Sequence, residues 1–250
     1  MKKYIPGETK EQRKARKNLA KAKKQSPKLQ PQPEVITTAP TKSKIAFVVG
    51  NGTSREPISL HSLKPFGKIY GCNALYRDFM PDYLVAVDTK MVLELNKAGI
   101  QHKVETWTNP NRAYSDMTGF NFFQPSKGWS SGPTALWHAS DMTDYDTIYI
   151  LGFDFEGTGQ LVNNIYSDTQ NYKASYEKAT YFGNWLKQTV ITCQNNPKKR
   201  YIRVLGESFF TPPELTQLEN VENIHVSCLL YTSDAADDLL CVDLGGRRII

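Results

Sequence analysis

Ile45-Ala46-Phe47-Val48-Val49-Gly50-Asn51-Gly52-Thr53-Ser54 is the stretch that decides the fold. Five apolar residues run straight into a Gly-Asn-Gly turn. A continuous apolar run of this length predicts a strand buried on both faces, as in a parallel sheet. Working outward, Ile69–Cys72, Tyr83–Val87, Lys103–Trp107, Thr147–Leu151, Tyr201–Leu205 and Asn223–Val226 read as further strands. Between them lie stretches of helical period. Thr89–Ala98 carries Met91, Leu95 and Ala98 at helical spacing and stops at Gly99. Pro133–Met142, Tyr172–Cys193 and Pro213–Leu218 read as the other helices. This alternation predicts an α/β fold over residues 44–227: a single doubly wound, mostly parallel, Rossmann-like sheet.

The net charge of +6 is unevenly spread. Residues 1–43 hold twelve Lys/Arg against three Glu, a net of +9, and almost no aromatic residues. Such a segment cannot bury a core and reads as a disordered basic tail, with a transient helix over Gln12–Lys24. Nucleic-acid or anionic-membrane contact by this arm is the sharper alternative, but no aromatic platform supports it. Residues 228–250 read as translated sequencing-adapter DNA, from Cys228-Leu-Leu-Tyr-Thr-Ser-Asp to the terminal Arg-Arg-Ile-Ile. They are therefore expected to lie outside the natural domain, which would continue differently past Ser227. The middle of the chain is left near neutral. No run of about 20 apolar residues exists, so no membrane span is expected and a cytoplasmic protein is. Cys72 and Cys193, with no CxxC spacing, predict neither a disulfide nor a zinc site.

In open parallel sheets ligands bind beyond the carboxyl ends of the strands. Four strand ends here carry Gly, Asn or Asp: Gly50-Asn51-Gly52, Asn73, Asp88 and Asp154. The Gly50–Ser54 loop is expected to offer backbone N–H groups to a phosphate. A tight strand-to-loop turn is the plainer reading of the same residues, and no full GxGxxG or GxxxxGK[ST] occurs. Ser130-Ser131-Gly132 sits at a helix start, where hydroxyls cap and free N–H groups attract anions. Asp88 and Asp154 suit metal binding, sugar orientation, base chemistry or simple capping. Tyr166, Tyr172, Tyr176 and Tyr181 make an aromatic-rich stretch, mostly core by expectation. His61, His102, His138 and His225 form no metal pair and read as structural.

The order Gly50-Asn51-Gly52-x-Ser54, Cys72-Asn73-x-Leu75-Tyr76, Ser131-Gly132, Ile148-Tyr149-x-Leu151-Gly152-Phe153-Asp154-Phe155 resembles the bacterial lipooligosaccharide sialyltransferases. The resemblance covers residues 44–190 and is carried by motif order rather than overall identity. It implies a CMP-sugar donor held by Asn51, Asn73, Ser131 and Gly132, a glycan or other hydroxyl acceptor, and no required cofactor. It also implies tyrosines beside the departing phosphate, here Tyr166 or Tyr181, and a histidine base. The chain departs from that pattern. Glu156 stands where the family has a tyrosine, and Tyr181-Phe182-Gly183-Asn184 puts Asn184 at the base position. An amide cannot accept a proton at neutral pH, so Asp154 or Glu156 would have to substitute. The run Pro81-Asp82-Tyr83-Leu84-Val85-Ala86-Val87-Asp88 resembles the related 6-hydroxymethylpterin diphosphokinase-like domains. That alternative implies pyrophosphoryl transfer with Mg²⁺ near Asp88 or Asp154. A non-catalytic nucleotide-binding module is the third reading.

Overall fold

The structure is a computed structural model and describes residues 9–12, 14, 44–141, 144–156, 160–206 and 210–229. The chain divides into Met1–Thr41 and Lys42–Ile250. In the first unit the Thr9 and Gln12 side chains each accept a hydrogen bond from the other's backbone N–H, a reciprocal helix cap. The rest of the expected helix over residues 12–24, apart from Lys14, lies outside the described residues.

The second unit is built on eight strands: β1 (Ile45–Val49), β2 (Lys68–Cys72), β3 (Tyr83–Val85), β4 (Glu105–Thr108), β5 (Phe120–Phe122), β6 (Thr147–Leu151), β7 (Arg200–Leu205) and β8 (Val221–His225). They form one sheet in the order β5-β4-β3-β2-β1-β6-β7-β8. Every adjacent pair is parallel. The doubly wound α/β architecture is therefore as the sequence predicts, and the sheet is wholly rather than mostly parallel. Helices α1 (Leu60–Leu63), α2 (Thr89–Ala98), α3 (Ser131–Asp141), α4 (Gly183–Asn195) and α5 (Pro213–Thr216) flank it.

The β1 run works as a two-faced strand. Phe47 and Val49 pack in one core with Leu60, Leu63, Met91 and Leu95 of α1 and α2. Ala46 and Val48 pack in the other with Leu136, Ala139, Leu186 and Leu215 of α3, α4 and α5. Right-handed crossovers require this split. Connections that step from β1 toward β5 lay helices on one face, and those that step from β6 toward β8 lay them on the other.

Several elements are shorter than the sequence suggests. β3 ends at Val85, because the Val87 N–H leaves the ladder and donates to Ser131 Oγ at 3.1 Å. β4 starts at Glu105, after a 3-10 turn over Ile100–His102. β5 has only three residues and too little pattern to stand out. The expected helix over Tyr172–Cys193 begins instead at Gly183. Residues 160–182 form a strap, with Asp168 and Asn171 at φ 64° and 69° and an antiparallel bridge between Leu161 and Lys178. Tyr172 is drawn into the protein, where its hydroxyl accepts from Asn51 Nδ2 at 3.1 Å. These tertiary ties override the helical spacing of the tyrosines.

Leu229, in the stretch read as adapter sequence, is buried in the same core as Phe47; residues 230–250 lie outside the described residues. Among the described residues no helix is long and apolar enough to cross a membrane.

Candidate functional site

β1 is flanked by β2 and β6, so the sheet changes its direction of winding between β1 and β6. The loops beyond these two strands part there and leave a crevice. The Gly50 N–H donates to Leu151 O at 2.8 Å and the Gly52 N–H to Gly152 O at 2.9 Å. This approach explains the glycines. A Cβ on Gly50 would lie 2.6 Å from Gly152 O, and Gly152 itself has φ 66°.

The same bonds correct the expectation for this loop. The Thr53 N–H donates to Asn163 Oδ1 at 2.8 Å and the Ser54 N–H to Asp154 Oδ2 at 3.1 Å. Four N–H groups between Gly50 and Ser54 are thus consumed inside the protein, so they do not cradle a phosphate. The loop is a splice between β1, β6 and the strap. Asp154 is its knot: its carboxylate accepts from Ser54 N–H, Ser54 Oγ and Asn163 Nδ2.

The crevice opens into a cavity of about 440 Å³. That lies in the range of small-molecule sites, ~300–1,000 Å³. Gly50, Asn51, Gly52, Asn73, Asp88, Ser130, Ser131, Gly132, Asp154 and Glu156 all line it, as do Phe153, Asn163 and Trp185. The strand-end residues and the α3 start picked out in the sequence therefore converge on one place. Ser54 sits behind them, bonded to Asp154.

Each wall has its own chemistry. The first turn of α3 brings the Ser131 and Gly132 N–H groups, which no intrahelical carbonyl can reach, together with the positive end of the helix dipole. Pro133 adds no donor. Ser131 Oγ holds the end of β3, and Ser130 N–H donates to Gln188 Oε1 of α4 at 3.1 Å, so the helix start is fixed. Asn73 adopts the left-handed φ of 51°. Its Oδ1 is buried without a hydrogen-bond partner among the described residues. An acceptor left this way costs free energy, and a ligand donor would recover it. Asn51 is already engaged by Tyr172 and by the Cys72 thiol, which burial pushes up to about 12.

Asp88 caps α2 with its backbone carbonyl only; its carboxylate makes no side-chain cap bond. Glu156 is half-buried. Its carboxyl is held above the ordinary value by burial and by the Asp154 charge, against the opposing pull of Arg203. Two buried arginines lie behind the loops. Arg55 donates to Gly50 O at 2.8 Å and to the Tyr166 hydroxyl at 3.0 Å. Arg203 donates to Phe153 O at 2.8 Å, Asp154 O at 3.1 Å and Phe210 O at 3.1 Å. Burial pulls its guanidinium down to about 10, so it stays charged at neutral pH.

Three residues expected at the reacting centre are placed elsewhere. Tyr166 is 4% exposed and its hydroxyl faces Arg55 behind the β1 loop. Burial pushes its ionisation far up. Tyr181 is 76% exposed, stacked on Phe182 outside the cavity wall. Asn184 is exposed in the first turn of α4, and Trp185 is the helix residue that reaches the cavity. Trp185, Asn163 and Arg203 carried no expectation. Arg203 had a legible signal, a charge set in the otherwise apolar run Tyr201-Ile202-Arg203-Val204-Leu205. Among the described residues no three His, Cys, Asp or Glu side chains cluster as a metal site.

Neither a family model, a curated protein nor a solved structure matches the chain. Fold and geometry define its class: a parallel α/β domain with a cleft at the switch point of its sheet.

Proposed function

We propose that the protein is a glycosyltransferase-like enzyme that uses a nucleotide-activated sugar, similar to the sialyltransferases in its motif order. One observation carries this reading. A helix N-terminus suited to a phosphate and a carboxyl suited to base chemistry line the same cavity at the β1–β6 switch point.

In this mechanism the α3 start receives the nucleotide phosphate on the Ser131 and Gly132 N–H groups. Asn73 Oδ1 accepts from the base or ribose. Glu156 is the general base in place of the family's histidine. Its carboxylate takes the proton from an acceptor hydroxyl, and that oxygen forms the new bond to the anomeric carbon. The bond from that carbon to the phosphate oxygen breaks, and the nucleotide leaves with the electron pair. Asp154 holds the loops and stays out of the proton transfer, since both its oxygens already accept hydrogen bonds.

The test starts with melting temperatures of the full chain with CMP, CDP, UDP, AMP and ATP, with and without Mg²⁺. A rise with CMP independent of Mg²⁺ supports the reading. Transfer that survives EDTA and is lost in Glu156→Gln, with nucleotide binding kept, completes it. No rise with any nucleotide, from a protein that melts cooperatively, removes the site.

Pyrophosphoryl transfer of the hydroxymethylpterin-kinase type is favoured by a different observation. The Asp88 carboxylate lines the cavity without capping its helix, so it is available to Mg²⁺. A melting shift only with ATP and Mg²⁺ would select that reading.

A further inference from the structure

We propose that Arg203 is a positioning residue for the cleft, holding the Asp154-Phe155-Glu156 segment with its side-chain fork and placing a buried positive charge against that segment. The inference rests on the reading of Glu156 as the base, and its test does not need turnover.

Arg203 sits in β7, next to β6, and is 2% exposed. Its nitrogens reach Phe153 O and Asp154 O, the two carbonyls that lead into Phe155 and Glu156. A third bond reaches Phe210 O, across the segment that follows β7. The guanidinium carbon lies 5.1 Å from the centre of the Phe155 ring. Among the described residues no carboxylate comes within ion-pair distance of it. A fourth, longer bond reaches Asn223 Oδ1 at 3.4 Å, and a buried cation satisfied by neutral oxygens rather than by a paired carboxylate is an expensive arrangement for stability. Among the described residues, Asp154 and Glu156 are the acidic groups that interact with its charge.

The groups that face Glu156 can be named. Asp154 stands two residues away on the same segment. Asp88 lies on the β3 side of the cavity, and Lys173 on the strap lines an adjoining cavity together with Glu156. Arg203 comes from beneath. Asp154 and burial favour the protonated acid, and Arg203 opposes them. A general base acts in its ionised form, and the Arg203 charge favours that form of Glu156. A lysine in its place would keep the charge without the planar fork.

The experiment is a ¹³C NMR titration of the Glu156 carboxyl in the full chain, assigned by its disappearance in Glu156→Gln. Arg203→Met should raise the Glu156 midpoint by about one pH unit, as expected for a lost opposite charge nearby. Arg203→Lys should return it toward the wild-type value. If Arg203→Met does not fold, Arg203→Gln gives the same reading, because it keeps a donor for Phe153 O and drops the charge. An unchanged midpoint in either folded, uncharged variant overturns the proposal. So does a lysine variant that titrates like the uncharged ones, which would assign the effect to packing. A protein that shows the shifts yet transfers no sugar would retain the electrostatic link and lose the transferase reading.

Discussion

Acidification should unfold this domain partly through one histidine. His138 sits on α3, 3% exposed, with its ring facing the sheet. Trp107, Phe123, Tyr70 and Tyr83 surround it at centroid distances of 4.7, 5.4, 5.5 and 5.9 Å. Nδ1 has no hydrogen-bond partner among the described residues. Burial alone lowers its ionisation from 6.5 to about 4. The folded state therefore resists protonation that the unfolded chain accepts. Stability is fully present above the unfolded value and is lost as pH falls from about 6.5 toward 4. At 1.36 kcal/mol per pH unit the whole effect is about 3 kcal/mol, of which about 2 kcal/mol is gone by pH 5. Cation–π attraction is the competing effect, worth up to about 2 kcal/mol for a desolvated cation over a ring face. The rings of Tyr70, Tyr83 and Phe123 stand at 83°, 88° and 80° to the imidazole, so none of the three stacks on it, and the larger desolvation figure decides. Desolvation should win. Urea denaturation at pH 7 and pH 5 tests this with wild type and His138→Leu, which fills the site without a charge. The variant should lose about 2 kcal/mol less than wild type over that interval. Parallel losses would refute the reasoning and show that the aromatic cluster accommodates the imidazolium.

Three further perturbations probe the framework of the cleft. Gly50→Ala places a methyl 2.6 Å from Gly152 O, so the β1 and β6 loops must part. A cost of about 1–3 kcal/mol in chemical denaturation is expected, and a neutral result would mean that the loops are not closely joined. Leu151→Ala empties a fully buried position at the end of β6 and should cost about 2–5 kcal/mol, with a small value revealing collapse around the gap. Asn163→Ala removes the acceptor for Thr53 N–H and a donor to Asp154. It should cost about 1–3 kcal/mol and speed hydrogen exchange at Thr53, whereas unchanged exchange would show that the strap does not hold the loop.

The sequence made the framework legible because parallel strands leave a strong signature. Ile45–Val49 is apolar throughout, Thr147–Leu151 is rich in β-formers, and the limits of both agree with the structure to the residue. Thr89–Ala98 was equally clear, since Gly99 takes the left-handed φ of 66° that ends a helix. β5 was invisible because three residues carry no period. The strap was misread because its tyrosines fall at helical spacing while their partners, Asn51 and Arg55, lie more than 100 residues upstream. The positions of Asn73, Asp88 and Asp154 in the cleft followed from one rule about strand ends. The occupied N–H groups of the Gly50–Ser54 loop did not, because their acceptors on Asp154 and Asn163 come from distant chain.

The pairing of β1 with β6 also sets when the cleft comes into being. Lys44 N–H donates to the Asp146 carboxylate, 102 residues further along the chain. Both strands beside the switch point must therefore emerge before the crevice has two walls, and such long-range parallel pairing is slow. A nascent chain that has reached only β5 holds every residue of the Gly50 loop and none of its Gly152, Asp154 or Asn163 partners. The cleft arrives late in synthesis, together with the central pair of the sheet, and a domain arrested before β6 would have a β1 edge open to any other strand.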